Sequence, residues 1–257
     1  METGAKTDIG LVRRANQDSY YLGPVGRAGY YLLAVADGMG GHAAGEVASR
    51  VAIDTLRQSC SGPGPWDIDP LDTAAVREAL VNAFHQANER VFQLAEQLPE
   101  YRGMGTTLTT VLVPPRPGRE AVFCHVGDSR AYLLSDGHLR QLTDDHSFVG
   151  QMVKNGDLTE AEAMNHPHRN ILTKALGTDD CVPVDTGVAT ADAGDAFVTC
   201  SDGLSSLVTQ DEVAAALRVA GDLQEAVDRL VAMARERGGP DNITVVAARM
   251  GAKEGGR

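Results

Sequence analysis

The sequence predicts an α+β fold with antiparallel sheets. Short strand-like runs are joined by turns that contain Gly, Pro and Asp, whereas the helical patterns come in two groups separated by the central strands. The regular alternation of strand and helix that is typical of a parallel sheet does not occur in this sequence. With 257 residues, of which 43% are hydrophobic and 23% charged, the chain is predicted to form one globular domain with a substantial core.

The strands are predicted from runs rich in Val, Leu, Ile and Tyr that are bounded by turn residues. Asp136-Gly137 is typical of a hairpin turn between two of them. The predicted strands are Thr7–Val12, Ser19–Leu22, Tyr30–Ala36, Thr106–Val113, Ala121–Val126, Ala131–Leu134, Leu139–Leu142, Val184–Val188, Ala196–Cys200 and Ile243–Arg249.

The helices are predicted from apolar residues that recur with helical spacing. Segment 144–177 has a short, broken pattern that predicts loops with small helices. We expect a single domain over residues 1–257, with its core at about 6–249 and a disordered tail at 250–257. The predicted helices are Ala43–Gln58, Thr73–Leu98, Glu212–Val219 and Leu223–Arg237.

The formal net charge of −12 argues against binding to nucleic acid or to an anionic membrane, which requires clustered basic residues. The longest apolar run, Tyr30–Ala36, is too short to span a bilayer, and the amino terminus lacks the apolar core of a secretion signal. Cys60, Cys124, Cys181 and Cys200 show no spacing typical of a metal site or a disulfide framework. We therefore expect a cytoplasmic protein without a membrane segment.

Aspartates end several of the predicted strands. One apolar strand runs directly into Asp37-Gly38 and another into Asp202-Gly203, while Asp128 and Asp241 stand next to further strands. Carboxylates that meet at strand ends would repel one another unless cations lay between them, and Mg²⁺ and Mn²⁺ prefer such oxygen ligands. The alternative interpretation is that each aspartate only forms a turn, since Asp-Gly is a common turn dipeptide.

Three further patterns indicate other chemistry. Gly38–Ala43 nearly matches a dinucleotide-binding loop, but Asp37 would repel a pyrophosphate and no second parallel strand follows. Cys124–Arg130 has the C-x5-R spacing of cysteine-dependent phosphatases, although Asp128 inside that loop would repel the substrate and raise the pKa of the thiol. His166–His168 contains half of a zinc-binding pattern without a third ligand nearby, which favours a solvated loop.

Seven short motifs follow one another along the chain: Gly10–Asp18 (GLVRRANQD), Val35–His42 (VADGMGGH), Gly105–Leu108 (GTTL), Val126–Arg130 (VGDSR), Leu142–Ser147 (LTDDHS), Ser201–Leu204 (SDGL) and Gly239–Thr244 (GPDNIT). Together they resemble the metal-dependent protein phosphatase family (PPM, type 2C) in its compact bacterial form. The resemblance extends from about Lys6 to Arg249, which is nearly the whole chain. Each motif alone is common, but seven in register are highly specific.

The resemblance implies a fold and a ligand set. The fold has two central antiparallel β-sheets sandwiched by helices, an αββα four-layer arrangement, with two Mn²⁺ or Mg²⁺ ions at one end. On the matching positions, Asp37 bridges both ions, and the carbonyl of Gly38 binds one of them. Asp202 and Asp241 hold the other ion, and Asp18 supports the cluster through metal-bound water.

Three more positions acquire roles from the same resemblance. Asp128 matches a carboxylate that helps to form a third, weaker metal site, and Arg13 matches the arginine that binds the substrate phosphate. The eukaryotic pattern has a proposed general acid two residues after the bridging aspartate, where this chain has Met39. His42 lies nearby in sequence, so it is a candidate proton donor to the leaving group; the alternative is that it only caps or orients the following helix.

The implied activity is hydrolysis of phosphoserine and phosphothreonine in proteins by a hydroxide that bridges the two ions. Phosphorylated proteins would be the substrates, a Ser/Thr protein kinase the opposing partner, and the chain a monomer. Segment 147–177 matches the family's variable flap beside the active site. Two alternatives remain open: a non-catalytic phosphoprotein-binding module of the same fold, and a regulator phosphatase that acts on an anti-sigma-factor antagonist.

Overall fold

The computed structural model describes residues 1–41, 43–67, 72–164, 166–219 and 221–251. Its strands are β1 (Glu2–Asp8), β2 (Asp18–Val25), β3 (Tyr30–Met39), β4 (Gly105–Thr106), β5 (Leu108–Val113), β6 (Arg119–Val126), β7 (Arg130–Ser135), β8 (His138–Gln141), β9 (Asp185–Ala191), β10 (Ala196–Cys200) and β11 (Ile243–Arg249). Its helices are α1 (Ala44–Ser61), α2 (Thr73–Gln97), α3 (Phe148–Asn155), α4 (Glu160–Met164), α5 (Asp202–Ser205), α6 (Gln210–Val219) and α7 (Leu223–Glu236).

The strands form two antiparallel sheets. The first sheet has the order β1-β11-β10-β7-β8, and the second has the order β2-β3-β5-β6-β9, with β4 paired to β3. Helices α1 and α2 cover the outer face of the second sheet, while α5, α6 and α7 cover the outer face of the first. This arrangement confirms the predicted α+β fold with two antiparallel sheets sandwiched by helices.

The layers follow from the two-residue period of the strands, in which neighbouring side chains point to opposite faces. Leu33 and Val35 of β3 pack between the sheets, whereas Leu32, Ala34 and Ala36 pack against α1 and α2. Every one of these side chains is fully buried. Burying a Leu or Val side chain contributes about 1.5–3 kcal/mol, so burial on both faces strongly stabilises this central strand.

Strand β11 shows the same alternation in the first sheet. Val246 and Ala248 pack between the sheets, and Val245 and Ala247 pack against the helices of the outer layer. Helix α7 is capped at its amino-terminal end by Asp222, whose carboxylate accepts a hydrogen bond from the backbone N–H of Glu225 at 2.7 Å. The central strands are therefore apolar on both faces, which is why the sequence shows them as continuous apolar runs.

The clearest difference from the sequence prediction is at the first strand, which was expected over Thr7–Val12. The strand instead ends at Asp8, because Gly10 turns the chain with a φ of +79° and leaves Leu11 and Val12 on an exposed loop. The predicted hairpin is present: Asp136 (φ +50°) and Gly137 (φ +77°) form a turn in which both central residues have positive φ.

Two further observations concern the carboxyl-terminal end of the chain and the character of its helices. Met250, which was assigned to the predicted tail, is 3% exposed, and residues 252–257 lie outside the described residues. Within the part of the chain that the structure describes, no helix has both the length and the apolar character needed to cross a membrane.

Candidate functional site

A cavity of about 180 Å³, which we call the acidic cavity, opens at one end of the two sheets. Among the candidate residues, it is lined by Arg13, Asp37, Gly38, Asp128, Asp202 and Asp241. Asp18 lies beside these residues rather than in the lining, and His42 lies outside the described residues. Strand ends from both sheets meet here, so residues far apart in sequence share one small volume.

Asp18 is the most deeply buried of these carboxylates, at 8% exposure. It begins β2 directly opposite Asp37 in the antiparallel register. Its Oδ2 accepts hydrogen bonds from Ser201 Oγ at 2.8 Å and Thr244 Oγ1 at 2.7 Å, while its buried Oδ1 has no hydrogen-bond partner among the described residues. Burial is the main reason why the pKa of Asp18 rises to about 7.

Asp37 lies near the end of β3, where hydrogen bonds to Thr106 and Thr107 fix its backbone. Its N–H donates to Thr107 Oγ1 at 2.9 Å, and its carbonyl oxygen accepts from Thr106 Oγ1 and from the N–H of Thr107, both at 2.9 Å. Burial and then the neighbouring carboxylates, Asp18 before Asp202, raise the pKa of Asp37 well above its ordinary value. A buried carboxyl in this setting stays ionised only if positive charge is brought to it.

Gly38 follows Asp37 at a place where only glycine fits. A Cβ on Gly38 would lie 1.9 Å from the carbonyl oxygen of Gly45 in the first turn of α1. The N–H of Gly38 donates to the carbonyl of Gln17 at 3.0 Å, which joins the loop before β2 to the end of β3. Packing therefore requires the glycine of this Asp-Gly pair.

Asp202 is the first residue of the short helix α5 and follows β10. Its neighbour Gly203 also tolerates no side chain, since a Cβ there would lie 1.9 Å from the carbonyl oxygen of Asn242. Oδ1 of Asp202 is buried and has no hydrogen-bond partner among the described residues. Burial, followed by repulsion from Asp241, raises the pKa of Asp202 to about 6.

Asp128 lies in the turn between β6 and β7. Gly127 holds this turn with a φ of +115°, and a Cβ on it would lie 2.5 Å from the Thr107 side chain. The N–H of Gly127 donates to Nδ1 of His146 at 3.1 Å. Burial raises the pKa of Asp128 well above its ordinary value, and repulsion from Asp202 is the next cause.

Arg13 brings positive charge to the cavity. Its Nη2 donates to Oδ2 of Asp241 at 2.7 Å, and this hydrogen bond is the main reason why the pKa of Arg13 is raised. The loop that carries Arg13 is held in place by the N–H of Leu11, which donates to the carbonyl of Gly239 at 2.7 Å. Arg13 keeps a side-chain exposure of 48%, so its guanidinium remains accessible from solvent.

Asn242 was not predicted as a site residue, although it holds the Arg13 loop. Its Nδ2 donates to the carbonyls of Ile9 and Ala15, each at 3.0 Å, and its Oδ1 accepts from the N–H of Gln17 at 2.8 Å. The only sequence signal is its position after Asp241 in the Gly239–Thr244 motif. These bonds join segments more than 220 residues apart, which periodicity along the chain cannot reveal.

The chemistry of this donor set fits hard divalent cations. Two carboxylate oxygens, Asp18 Oδ1 and Asp202 Oδ1, are buried without a hydrogen-bond partner among the described residues, and four of the five clustered acids have raised pKa values. Oxygen-only sites of this kind suit Mg²⁺ and Mn²⁺. In the described ranges, no three acidic, His or Cys side chains already stand at ligating distances, so ions would have to draw the carboxylates together.

The structure argues against the other chemistries that the sequence raised. Cys124 is fully buried, and burial raises the pKa of its thiol to about 12, so the thiolate that a cysteine-dependent phosphatase needs is strongly disfavoured. Strand β3 pairs only with antiparallel neighbours, which excludes a dinucleotide-binding βαβ unit at Gly38–Ala43. The rings of His166 and His168 lie near Phe148 on the partly exposed flap, with their centroids 5.6 Å apart and their planes tilted by 56°.

Comparison with known proteins identifies the family. The family model described as "Protein phosphatase 2C" matches residues 13–244. The chain is 43% identical over 245 residues to the serine/threonine protein phosphatase PstP of Mycobacterium tuberculosis, a match that covers 95% of this chain and 44% of that protein. It is 37% identical over 261 residues to the serine/threonine phosphatase stp of Listeria welshimeri, covering 100% of this chain and 99% of the relative.

A solved structure agrees with these relatives. The catalytic domain of the serine/threonine protein phosphatase PstP, in complex with two manganese ions, superposes with a TM-score of 0.78 at 37% identity, covering 96% of this chain and 97% of that one. The chain thus spans less than half the length of the curated Mycobacterium tuberculosis relative but nearly all of this catalytic domain. The resemblance drawn from the seven motifs is confirmed, and the chain belongs to the protein phosphatase 2C family.

Proposed function

We propose that this chain hydrolyses phosphoserine and phosphothreonine in proteins and depends on two Mn²⁺ or Mg²⁺ ions. The observation that carries the proposal is the acidic cavity, in which buried carboxylates with raised pKa values stand beside one accessible arginine. The curated relatives named above are serine/threonine phosphatases, and one solved relative holds two manganese ions. These names support the activity without assigning any residue of this chain.

The residues that would hold the two ions are Asp37, Gly38 through its carbonyl oxygen, Asp202 and Asp241. Asp18 would support these ligands from outside the cavity lining, consistent with its position beside that lining. When bound, the two ions lower the pKa of water so that hydroxide is available near neutral pH for attack on phosphorus. No side chain then has to act as the nucleophile, which fits the buried and protonated state of the Cys124 thiol.

Arg13 would bind the substrate phosphate. One of its N–H groups is used by Asp241, which orients the guanidinium over the acidic cavity and leaves further donors for phosphate oxygens. A planar guanidinium can bind two phosphoryl oxygens at once and offset charge that develops on them during transfer. His42 lies outside the described residues, so its role as proton donor stays a prediction.

Finer points of the proposal follow from this chemistry. Phosphoserine and phosphothreonine arise by transfer from a nucleotide to a protein hydroxyl, so a Ser/Thr protein kinase must supply the substrate. Asp128 would contribute to a third, weaker ion site, since it lines the same cavity and repulsion from Asp202 helps to raise its pKa. We further propose that residues 1–257 form one catalytic domain, acting as a monomer in the cytoplasm, where buried free thiols such as Cys200 remain reduced.

The test combines metal binding with turnover. Purified protein is assayed with p-nitrophenyl phosphate and with a phosphothreonine peptide in Mn²⁺, in Mg²⁺ and in excess EDTA. We expect both substrates to be hydrolysed only with metal, and Asp202→Asn to lower turnover by about 100-fold or more while circular dichroism stays unchanged. Activity that is indifferent to EDTA would overturn the proposal, and so would metal-saturated protein that binds the peptide without releasing phosphate.

A further inference from the structure

A second cavity, of about 290 Å³, lies directly beside the acidic cavity, and we call it the flap pocket. Asp128, Asn170 and Asp202 line both cavities, so the two cavities adjoin at these residues. The flap pocket reaches from these shared residues to helices α3 and α4. A phosphorylated side chain in the acidic cavity would therefore place its neighbours in the peptide chain at the mouth of the flap pocket.

One wall of the flap pocket is apolar. Val149 and Val153 of α3 and Ala163 and Met164 of α4 line it. Val149 is 6% exposed, and the other three are half-buried against one another. Apolar side chains that converge on a cavity of this size are typical of a site that takes an apolar group from a ligand.

The charged side chains of the lining largely neutralise one another. Arg130 is partly buried and binds Asp145 through two hydrogen bonds, at 2.9 Å from Nε and 2.7 Å from Nη2. Lys154 donates to Asp144 at 2.6 Å. Arg169 also lines the pocket and is exposed to solvent. Apart from the two aspartates that it shares with the acidic cavity and from Arg169, the charged side chains of the pocket are paired, so its apolar wall faces ion pairs and uncharged polar side chains.

Hydrogen bonds and close packing fix the backbone of the flap beside the pocket. Ser147 Oγ caps α3 by accepting from the N–H of Gly150 at 3.0 Å, and a Cβ on Gly150 would lie 2.5 Å from the carbonyl oxygen of Asp145. The N–H of Phe148 donates to the carbonyl of Ile171 at 2.8 Å, which joins the two ends of the flap. A pocket formed in advance loses less conformational entropy when a ligand binds.

We infer that the flap pocket binds a large apolar side chain, such as Leu or Met, of the phosphoprotein substrate, from a residue close to the phosphorylated one. The inference rests on the proposed phosphatase function and adds a sequence preference to it. Its support is the shared lining of the two adjoining cavities, the apolar wall of α3 and α4, and the ion pairs around that wall. Exchange of Leu for Ala in such a pocket changes kcat/KM by about 10- to 50-fold.

The test is a positional scan of phosphothreonine peptides with an alanine background. Leu, Asp or Lys is placed in turn at each of the three positions on either side of the phosphothreonine, and kcat/KM is measured with Mn²⁺. We expect Leu at one position to raise kcat/KM by about tenfold or more over Ala. The variants Val153→Asp, which puts a charge in the apolar wall, and Val153→Phe, which fills the pocket, should both remove this preference.

Two controls separate the pocket from the active site and from the fold. Asn155→Asp adds the same charge to the exposed end of α3 outside the pocket lining and should keep the Leu preference. Hydrolysis of p-nitrophenyl phosphate should be unchanged in all three variants, since their residues do not line the acidic cavity. Hydrolysis of every peptide at one rate would overturn the inference and leave the phosphatase function intact.

Two other outcomes are equally decisive. A preference for Asp in place of Leu would overturn the inference, because it would assign recognition to Arg169 instead of the apolar wall. A Leu preference that survives in both Val153 variants would overturn it as well, since the apolar side chain would then bind elsewhere. Failure to hydrolyse any peptide would instead reject the proposed function itself.

Discussion

The stability of the metal-free protein should depend on pH through Asp18. In the folded chain, burial raises the pKa of this carboxyl from an ordinary value of 3.8 to about 7. Between these two values the folded state keeps a proton that the unfolded chain has released. Ionising Asp18 therefore disfavours folding, and its contribution to the free energy of unfolding falls as the pH rises from about 4 to about 7.

The difference between 3.8 and about 7 corresponds to about 4 kcal/mol of unfolding free energy. A second group acts in the opposite direction in part of this range. Burial lowers the pKa of His125 to about 3, so protonation of this residue destabilises the fold in acid, and its contribution rises with pH up to about 6.5. The other clustered aspartates, Asp37, Asp128 and Asp202, also have raised pKa values. The total slope of the free energy of unfolding against pH therefore mixes several groups, and a difference between two proteins has to be measured.

The variant Asp18→Asn isolates the carboxyl and leaves His125 in place. Urea unfolding of both proteins is measured in EDTA at several pH values from about 4 to about 8. We expect the free energy of unfolding of the wild type, relative to Asp18→Asn, to fall by about 4 kcal/mol over this range. Adding Mn²⁺ at the upper end should recover most of that loss for the wild type, because cations near the cluster favour the ionised carboxyl.

The reasoning would be refuted if the free energies of unfolding of the wild type and Asp18→Asn differed by the same amount from about pH 4 to about pH 8. The same holds if the wild type gained stability over Asp18→Asn as the pH rose. Either result would mean that Asp18 is ionised in the metal-free fold, and the clustered acids would then need no cations to offset their charge.

Four other predictions follow from particular contacts. Asp37→Asn should lower peptide turnover by about 100-fold or more while raising the melting temperature in EDTA at neutral pH, because the folded chain then no longer has to protonate this carboxyl or bury its charge. Gly10→Ala should destabilise the fold by about 1–3 kcal/mol in urea, since φ is +79° and a Cβ would lie 2.2 Å from a backbone oxygen. His146→Leu should cost about 1–3 kcal/mol by leaving the buried N–H of Gly127 without an acceptor, whereas His146→Gln, which keeps an acceptor, should cost less. Cys124→Ser should retain metal-dependent turnover of p-nitrophenyl phosphate, and its loss would revive the thiol mechanism.

The elements that the sequence predicts best are those whose own apolar side chains determine that the element is buried. Strands Ala196–Cys200 and Ile243–Arg249 have the predicted bounds, because continuous apolar runs between turn residues leave few alternatives. The amino-terminal strand was displaced by several residues, from Thr7–Val12 to Glu2–Asp8. Its sequence is mostly polar, and it forms a strand because it pairs with β11 at the other end of the chain.

The candidate site also has one part that the sequence predicts and another that it does not. Strand-ending aspartates such as Asp37 and Asp202 were visible as a local pattern, and the order of the motifs was enough to indicate the family. The support of Asp18 by Ser201 and Thr244 was not predicted, since these partners are 183 and 226 residues away. Their hydroxyls look like ordinary strand polar groups until tertiary pairing brings them to the carboxylate.

The most direct test of the central claim is phosphate release from a phosphothreonine peptide as a function of Mn²⁺ concentration, for the wild type and for Asp202→Asn. The account predicts no release in EDTA, a rise to saturation with Mn²⁺ for the wild type, and a rate lower by about 100-fold or more for the variant. Equal rates for the two proteins, or a wild-type rate that is the same in EDTA, would contradict the assignment of the acidic cavity as a metal-dependent phosphatase centre.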